Sequence, residues 1–272
     1  MNASIANDLS FNDLSFIKDI LLKSGDYIRE SYVNRYTLPV NSKNHANDFL
    51  TLVDVKVQQQ LVSEIKKRFP DDVILAEESG LNIYPDTVPE RCWAIDPIDG
   101  TQNFLRGLFP AFGVSLALIK KGIIVAGGIY MPVQGDLFLA ASGMGAVKNG
   151  VSLTVSDKNE LALARVDIDF DGPVNRAEII NRSKSMLLKA GQIRSNACSI
   201  VGFCSVASGE EDVYLVLGVN TWDIAAGLIL VSEAGGKTSR FDGSYVNPFD
   251  GRQDVLVSNG ALHELCLKEI EL

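Results

Sequence analysis

Trp93-Ala94-Ile95-Asp96-Pro97-Ile98-Asp99-Gly100-Thr101-Gln102-Asn103-Phe104 begins as a short apolar run, the form of a buried strand, and then places two acids around a proline. Pro97 fixes φ and lacks an N–H, so the two aspartates are expected to leave the strand ladder on a tight turn and to point into one space. Gly100-Thr101-Gln102-Asn103 then reads as the first turn of a helix, whose free backbone N–H groups can hold a phosphate. Asp-x-x-Asp alone favours a plain turn. Carboxylates beside an anion site make chemical sense only with a metal between them.

Outward from this stretch, Val73 to Ala76 is a second short apolar run, followed by Glu77-Glu78, so these acids can reach the same rim. From Val73 through Leu105 only Arg91 is basic, which leaves Glu77, Asp96 and Asp99 without a local counter-ion. Two like charges about 4 Å apart repel by roughly 4 kcal/mol at an effective dielectric near 20, so converging acids need a proton or a divalent cation. Hard oxygen donors with no thiolate or imidazole beside them suit Mg²⁺, with Mn²⁺ as substitute, better than zinc or copper. Asp223 follows Trp222 just before an expected helix, Ile224 to Ala234, where it reads equally as an N-cap. Thr51-x-x-Asp54 has capping-box spacing, and Asp54 is balanced between capping and a place in the site.

Further helices are expected from Ser10 to about Tyr32, from Thr51 to Phe69, near Arg176 to Ala190, near Asn196 to Ser208 and from Ala261 to Ile270. Phe112 to Ile119, Gly122 to Tyr130, Leu137 to Ala141 and Gly145 to Leu153 read as consecutive strands, the last turn being Asn149-Gly150. Strands are also expected at Val213 to Leu217 and Asp254 to Ser258. The pattern is an α/β (α+β) chain, an N-terminal half over residues 1–155 and a C-terminal half over 156–272.

The 272 residues are 46% hydrophobic and 22% charged with a formal charge of −9, an ordinary globular profile that repels nucleic-acid backbones and anionic lipid. No stretch reads as a membrane span or a targeting peptide, and Cys92, Cys198, Cys204 and Cys266 form no C-x-x-C pair, so reduced thiols in the cytoplasm are expected. Cys198 is expected to be a buried thiol with no catalytic role, and Gly127-Gly128 and Gly143-Met144-Gly145 lack dinucleotide-loop spacing. His45 and His263 are expected on the surface, and Lys43 in a solvated loop.

The Trp93 to Phe104 stretch resembles the first signature of the inositol monophosphatase family of magnesium-dependent, lithium-sensitive phosphatases. Trp222-Asp223-Ile224-Ala225-Ala226-Gly227 with Glu233-Ala234-Gly235-Gly236 resembles its second. Glu77-Glu78-Ser79 and Asp48-x-x-Thr51-x-x-Asp54 match the remaining pieces in order. The resemblance implies a layered αβαβα sandwich of the sugar-phosphatase type, with the site between the halves, and a homodimer. It implies that Glu77, Asp96 and the Ile98 carbonyl hold a first Mg²⁺, that Asp96, Asp99 and Asp223 hold a second, and that Glu77 with waters holds a weaker third. Gly100 and Thr101 amides would bind phosphate, while the Thr101 hydroxyl and Asp54 orient a water; Glu77, Thr101 and Asp54 are thus the catalytic set.

Family members acting on inositol phosphates place a Gly-(Ser/Thr)-Ala segment and a downstream Glu against the sugar hydroxyls. Ala197-Cys198-Ser199, together with Asp99, are the corresponding substrate contacts, and Val216 stands where that Glu would be. Val cannot accept a hydrogen bond, which weakens the expectation of inositol preference but not of phosphatase chemistry. The expected function is Mg²⁺-dependent hydrolysis of a small phosphomonoester, an inositol, sugar or polyol phosphate. Alternatives are histidinol phosphate, fructose 1,6-bisphosphate, NADP or 3′-phosphoadenosine 5′-phosphate as substrate, and, in another class, a catalytically silent metal-binding regulatory protein.

Overall fold

Side chains alternate between two faces along each strand, and that alternation divides this protein's apolar residues into three separate cores. The structure, a computed structural model, describes residues 11–37, 40–42, 49–78, 80–107, 109–170 and 173–271. Ser10, Lys43, His45, Asp48 and Ser79 lie outside the described residues. Helix α1 (Phe11–Val33), hairpin strands β1 (Val40–Ser42) and β2 (Phe49–Thr51), and helix α2 (Leu52–Arg68) precede a seven-stranded sheet. Its strands, in spatial order, are β3 (Val73–Ala76), β4 (Arg91–Asp99), β5 (Gly113–Lys120), β6 (Ile123–Met131), β7 (Asp136–Ala141), β8 (Gly145–Lys148) and β9 (Val151–Ser152), with the short α3 (Thr101–Arg106) after β4. Only β3 and β4 pair in parallel; the other neighbours are antiparallel.

The second sheet has the order β11 (Gln192–Arg194), β10 (Arg165–Ile168), β12 (Val213–Val219), β14 (Gln253–Ser258), β13 (Lys237–Arg240). Helices α4 (Pro173–Lys189), α5 (Ser199–Ala207), α6 (Thr221–Glu233) and α7 (His263–Glu269) complete this part of the chain. On one face of the first sheet, Trp93, Ile95, Leu116 and Leu118 pack against Ile17 and Leu21 of α1 and Val57 and Leu61 of α2. On its other face, Ala94, Ala117 and Ile129 meet Phe203 of α5 and Ala225 and Ile229 of α6. The same two helices also cover Tyr214, Val216, Val255 and Val257 of the second sheet. Val166, Ile168, Val213 and Leu215 point away from them, onto Ile179 and Met186 of α4 and Cys266 of α7. The result is the layered αβαβα sandwich that the resemblance implied. Among the described residues, no helix is long and apolar enough to cross a membrane.

Three expectations need correction. Strand β4 does not end before Pro97: it runs through Asp99, its ladder stepping from the Asp96–Ser115 pair to the Asp99–Gly113 pair. One extra residue in β4 makes a bulge, a place where proline's missing N–H costs no ladder bond. Asp223 does not precede its helix; Asn220 is the N-cap and Asp223 the third residue inside. His263 is fully buried, its ring nitrogens each 2.9 Å from the Ser239 and Ser258 hydroxyls. Burial lowers its pKa to about 4, so the ring is neutral, and two hydroxyls supply the partners a surface histidine would find in water.

Candidate active site

The expected acids come from separate elements: Asp54 from α2, Glu77 from just after β3, Asp96 and Asp99 from β4 and Asp223 from the first turn of α6. The Glu77 amide donates to the Ile95 carbonyl (3.2 Å), which seats Glu77 alongside the middle of β4. Gln58 on α2 fixes the following residue, accepting from the Glu78 amide (2.9 Å) and donating to its carbonyl (3.3 Å). Nothing in the sequence around Gln58 marks that role, because the contact spans twenty residues.

Of the two roles the sequence left in balance for Asp54, capping is present, and the side chain also reaches Thr101. It completes the capping box of α2, accepting from the Thr51 amide (2.9 Å) and the Thr51 hydroxyl, and its other oxygen lies 3.2 Å from the Thr101 hydroxyl. The Thr101 hydroxyl is also 3.0 Å from the Ile98 carbonyl; with a single proton, it donates to one of these acceptors at a time. Asp54, Ile98 and Thr101 therefore meet around one hydroxyl.

Asp99 holds the second sheet's helices to the first sheet. Its carboxylate accepts from the Ile200 amide (2.7 Å) and the Ser199 amide (3.3 Å), two orphan donors of the N-terminus of α5. Asn103 strengthens the junction by donating to the Ala111 and Asn196 carbonyls, both at 2.9 Å. Gly100 sits between them at φ +82°, where an added Cβ would be 2.7 Å from the Ala111 carbonyl and 3.0 Å from Cys198 Sγ. Only glycine fits there. Of the expected substrate contacts, Cys198 and Ser199 are buried and Ala197 is exposed, in the left-handed region at φ +50°. Burial, with the charge of Asp99 beside it, pushes the Cys198 thiol well up, which makes it a poor nucleophile.

Asp223 accepts from the Asn220 amide (2.7 Å) at the head of α6. Tyr84 steadies this helix end: its hydroxyl accepts from the Thr221 amide (3.1 Å), and its ring stacks on Trp222 at 6.1 Å. Tyr84 stands in a stretch without periodicity, so no local pattern marks it.

The electrostatics of Asp96, Asp99 and Asp223 follow first from burial, which the charge of Arg252 opposes at Asp223. Arg91 is spent at the far end of β4 on Asp72 (2.9 Å) and Asp13 (3.4 Å). Among the described residues no Lys or Arg forms an ion pair with Asp96, Asp99 or Asp223. Asp96 is 2% exposed; burial, then the charges of Glu77, Asp99 and Asp223, hold its pKa well above the carboxylate range. Burial raises Asp99 to about 7, with Asp169 and Glu77 adding to it and the Ile200 amide opposing. Asp223 is held well up by burial, then by Glu77 and Asp99. Asp96 Oδ1 is buried without a hydrogen-bond partner.

The four acids thus feel one another, yet among the described residues no three His, Cys, Asp or Glu side chains close into a metal-ligating group. Two of them are turned to helix amides instead, Asp99 to α5 and Asp223 to α6. Each carboxylate oxygen keeps a second lone pair, so these bonds orient the acids without exhausting them. Val216 is 2% exposed within the central apolar core and offers no polar atom to a ligand.

The model of the inositol monophosphatase family matches residues 13–272. A fructose-1,6-bisphosphatase/inositol-1-monophosphatase of Thermotoga maritima is 34% identical over 235 residues, 85% of this chain and 86% of that protein. The Nus factor SuhB of Pasteurella multocida is 35% identical over 227 residues, covering 82% and 83% of the two chains. The solved structure of a Thermotoga maritima IMPase superposes with a TM-score of 0.84 at 32% identity, over 95% of this chain and 96% of the other.

Proposed function

This chain belongs to the inositol monophosphatase family, and we propose that it hydrolyses a small phosphomonoester, an inositol, sugar or polyol phosphate, with Mg²⁺ as cofactor and Mn²⁺ as substitute. The observation that carries the reading is Asp96: a buried carboxylate with an orphan oxygen, raised by three neighbouring acids and without a Lys or Arg partner. A divalent cation suits such a carboxylate cluster. Glu77, Asp96, the Ile98 carbonyl, Asp99 and Asp223 are the residues that would hold it, all hard oxygen donors. When bound, it lowers the pKa of water to make a nucleophile and stabilises the leaving alkoxide.

The chain's own groups supply position. Asp54, fixed by the α2 cap, holds the Thr101 hydroxyl so that it can orient the attacking water. The Gly100 and Thr101 amides, set by the left-handed turn, face the phosphate. Asp99, held by α5, and the Ala197-Cys198-Ser199 segment border the leaving group. We expect a homodimer in the cytoplasm acting on a small phosphorylated substrate, without nucleic-acid or membrane partners.

A second reading, a catalytically silent metal-binding regulatory protein, is compatible with the relative named Nus factor SuhB. The turning of Asp99 and Asp223 to helix amides favours it. Phosphate release over inositol 1-phosphate, histidinol phosphate, fructose 1,6-bisphosphate, NADP and 3′-phosphoadenosine 5′-phosphate separates the two. The hydrolase reading predicts release with Mg²⁺ and none with chelator; no release from any substrate at any Mg²⁺ concentration overturns it and leaves the regulatory reading.

A further inference from the structure

Helix α5 begins at a bend that its own residues do not favour. Ala197 lies at φ +50°, in the left-handed region, where a residue with a side chain is disfavoured by a factor of roughly 5–30. The N-cap of α5, Cys198, makes no side-chain cap bond, so what holds the bend lies outside the helix. Asn196, the residue before it, is gripped from two sides. Its amide donates to Asp167 Oδ1 (3.2 Å) and its Nδ2 to Asp167 Oδ2 (3.0 Å), while its carbonyl accepts from Asn103 Nδ2 (2.9 Å). Asp167 is 1% exposed and stands on β10 with Arg194 of β11 on one side and Tyr214 of β12 on the other. A carboxylate this deep costs stability unless its oxygens are bonded, and here both oxygens bond the same residue.

We propose that Asp167 is a positioning residue: by clamping Asn196 it holds Ala197 in the left-handed bend and so aims the Ser199 and Ile200 amides at Asp99. Those two amides are the donors that fix the Asp99 carboxylate (3.3 and 2.7 Å), and only Ala197 and Cys198 separate them from the clamp. On the other side, Asn103 lies in α3 two residues after Thr101, so the same clamp ties the turn that faces the phosphate to the second sheet. Asp167 acts through Asn196 and touches no reacting atom. This rests on the hydrolase reading, in which Asp99 holds Mg²⁺, and goes beyond it in naming what outside the site sets that ligand.

The test is amide hydrogen exchange by NMR in the metal-free protein, paired with titration of Mg²⁺ in phosphate. Asp167→Ala is expected to speed exchange at Ser199 and Ile200 about tenfold or more relative to Val206 at the other end of α5, because two bonds to a charged acceptor are lost. Asp167→Asn, which keeps one acceptor oxygen, should lie between this variant and wild type, and carries the comparison if Asp167→Ala does not fold. Ala197→Gly placed in either background should win back about two- to fivefold, since glycine takes the left-handed bend without the side-chain penalty and the methyl removed is exposed. Mg²⁺ should bind several-fold more weakly to the Asp167 variants than to wild type. A merely structural Asp167 would speed exchange along all of α5 alike; that result, no recovery with Ala197→Gly, or unchanged Mg²⁺ binding beside a wild type that binds, overturns the proposal and leaves the hydrolase reading intact. A wild type that binds no Mg²⁺ overturns both together.

Discussion

Replacing Gly100 with alanine measures how closely the two sheets' layers meet over the site. At φ +82°, the new methyl would stand 2.7 Å from the Ala111 carbonyl, 3.0 Å from Cys198 Sγ and 3.2 Å from Phe112 Cβ. An L-residue in the left-handed region costs roughly 1–2 kcal/mol. Overpacking at a backbone oxygen and a buried side chain adds about 1–3 kcal/mol. The sum is a loss of about 2–5 kcal/mol, or a fall in Tm of very roughly 5–15 °C for a chain of this size. Gly135 provides the control: it has φ +73° and nothing within 4 Å of its would-be Cβ, so Gly135→Ala should show the backbone cost alone. Urea unfolding of the two variants followed by circular dichroism isolates the crowding as their difference. If Gly100→Ala is no less stable than Gly135→Ala, the close junction of Gly100, Ala111 and Cys198 is refuted.

In chelator, stability should fall as pH rises from about 4 through about 7. Asp99 is raised to about 7 from 3.8, Glu211 to about 7 from 4.5 and Asp167 to about 6 from 3.8, in each case first by burial. Protonated acids favour the folded state below their unfolded values, and that gain is lost through their folded ones; calorimetry showing rising Tm over this range contradicts the assignment. Asp54→Ala should cost about 1 kcal/mol in urea unfolding by removing the Asp54 half of the α2 capping box and should also lower turnover, whereas Asp54→Asn should keep most of the stability; equal stability of all three proteins would refute the Asp54 contribution to the box. Cys198 should resist iodoacetamide at neutral pH in the native protein and react after unfolding, as its buried thiol is held protonated; mass spectrometry finding rapid native labelling would argue against that burial.

Much of the fold was legible because its signals are local. The four-residue spacing of Val53, Val57, Leu61 and Ile65 and the capping box at Thr51 define α2 within a residue, and Asn149-Gly150 marks a hairpin whose two residues do adopt positive φ. Strands β10, β11 and β13 were not legible: Arg165-Val-Asp-Ile, Gln192-Ile-Arg and Lys237-Thr-Ser-Arg are too short and mixed to show period two, and they are strands because neighbours complete their ladders. Pro97 misled for a related reason, since a bulge that accepts proline is a property of two strands together. In the site, the acids Glu77, Asp96, Asp99 and Asp223 were visible as unbalanced charge along the chain. Their turning toward the amides of α5 and α6 was not, because those helix ends come from more than a hundred residues away in the case of Ile200 and from a capping geometry shifted by one turn in the case of Asp223. Gln58 and Tyr84 act through contacts that no local pattern announces.

Isothermal titration of Mg²⁺ into metal-free protein in phosphate, for wild type and Asp96→Asn, most directly tests whether these acids are a cation site. The wild type should bind Mg²⁺ with phosphate strengthening the binding, and Asp96→Asn, which keeps the shape and loses the central charge, should bind far more weakly. Equal binding by both proteins, or none by the wild type, contradicts the account.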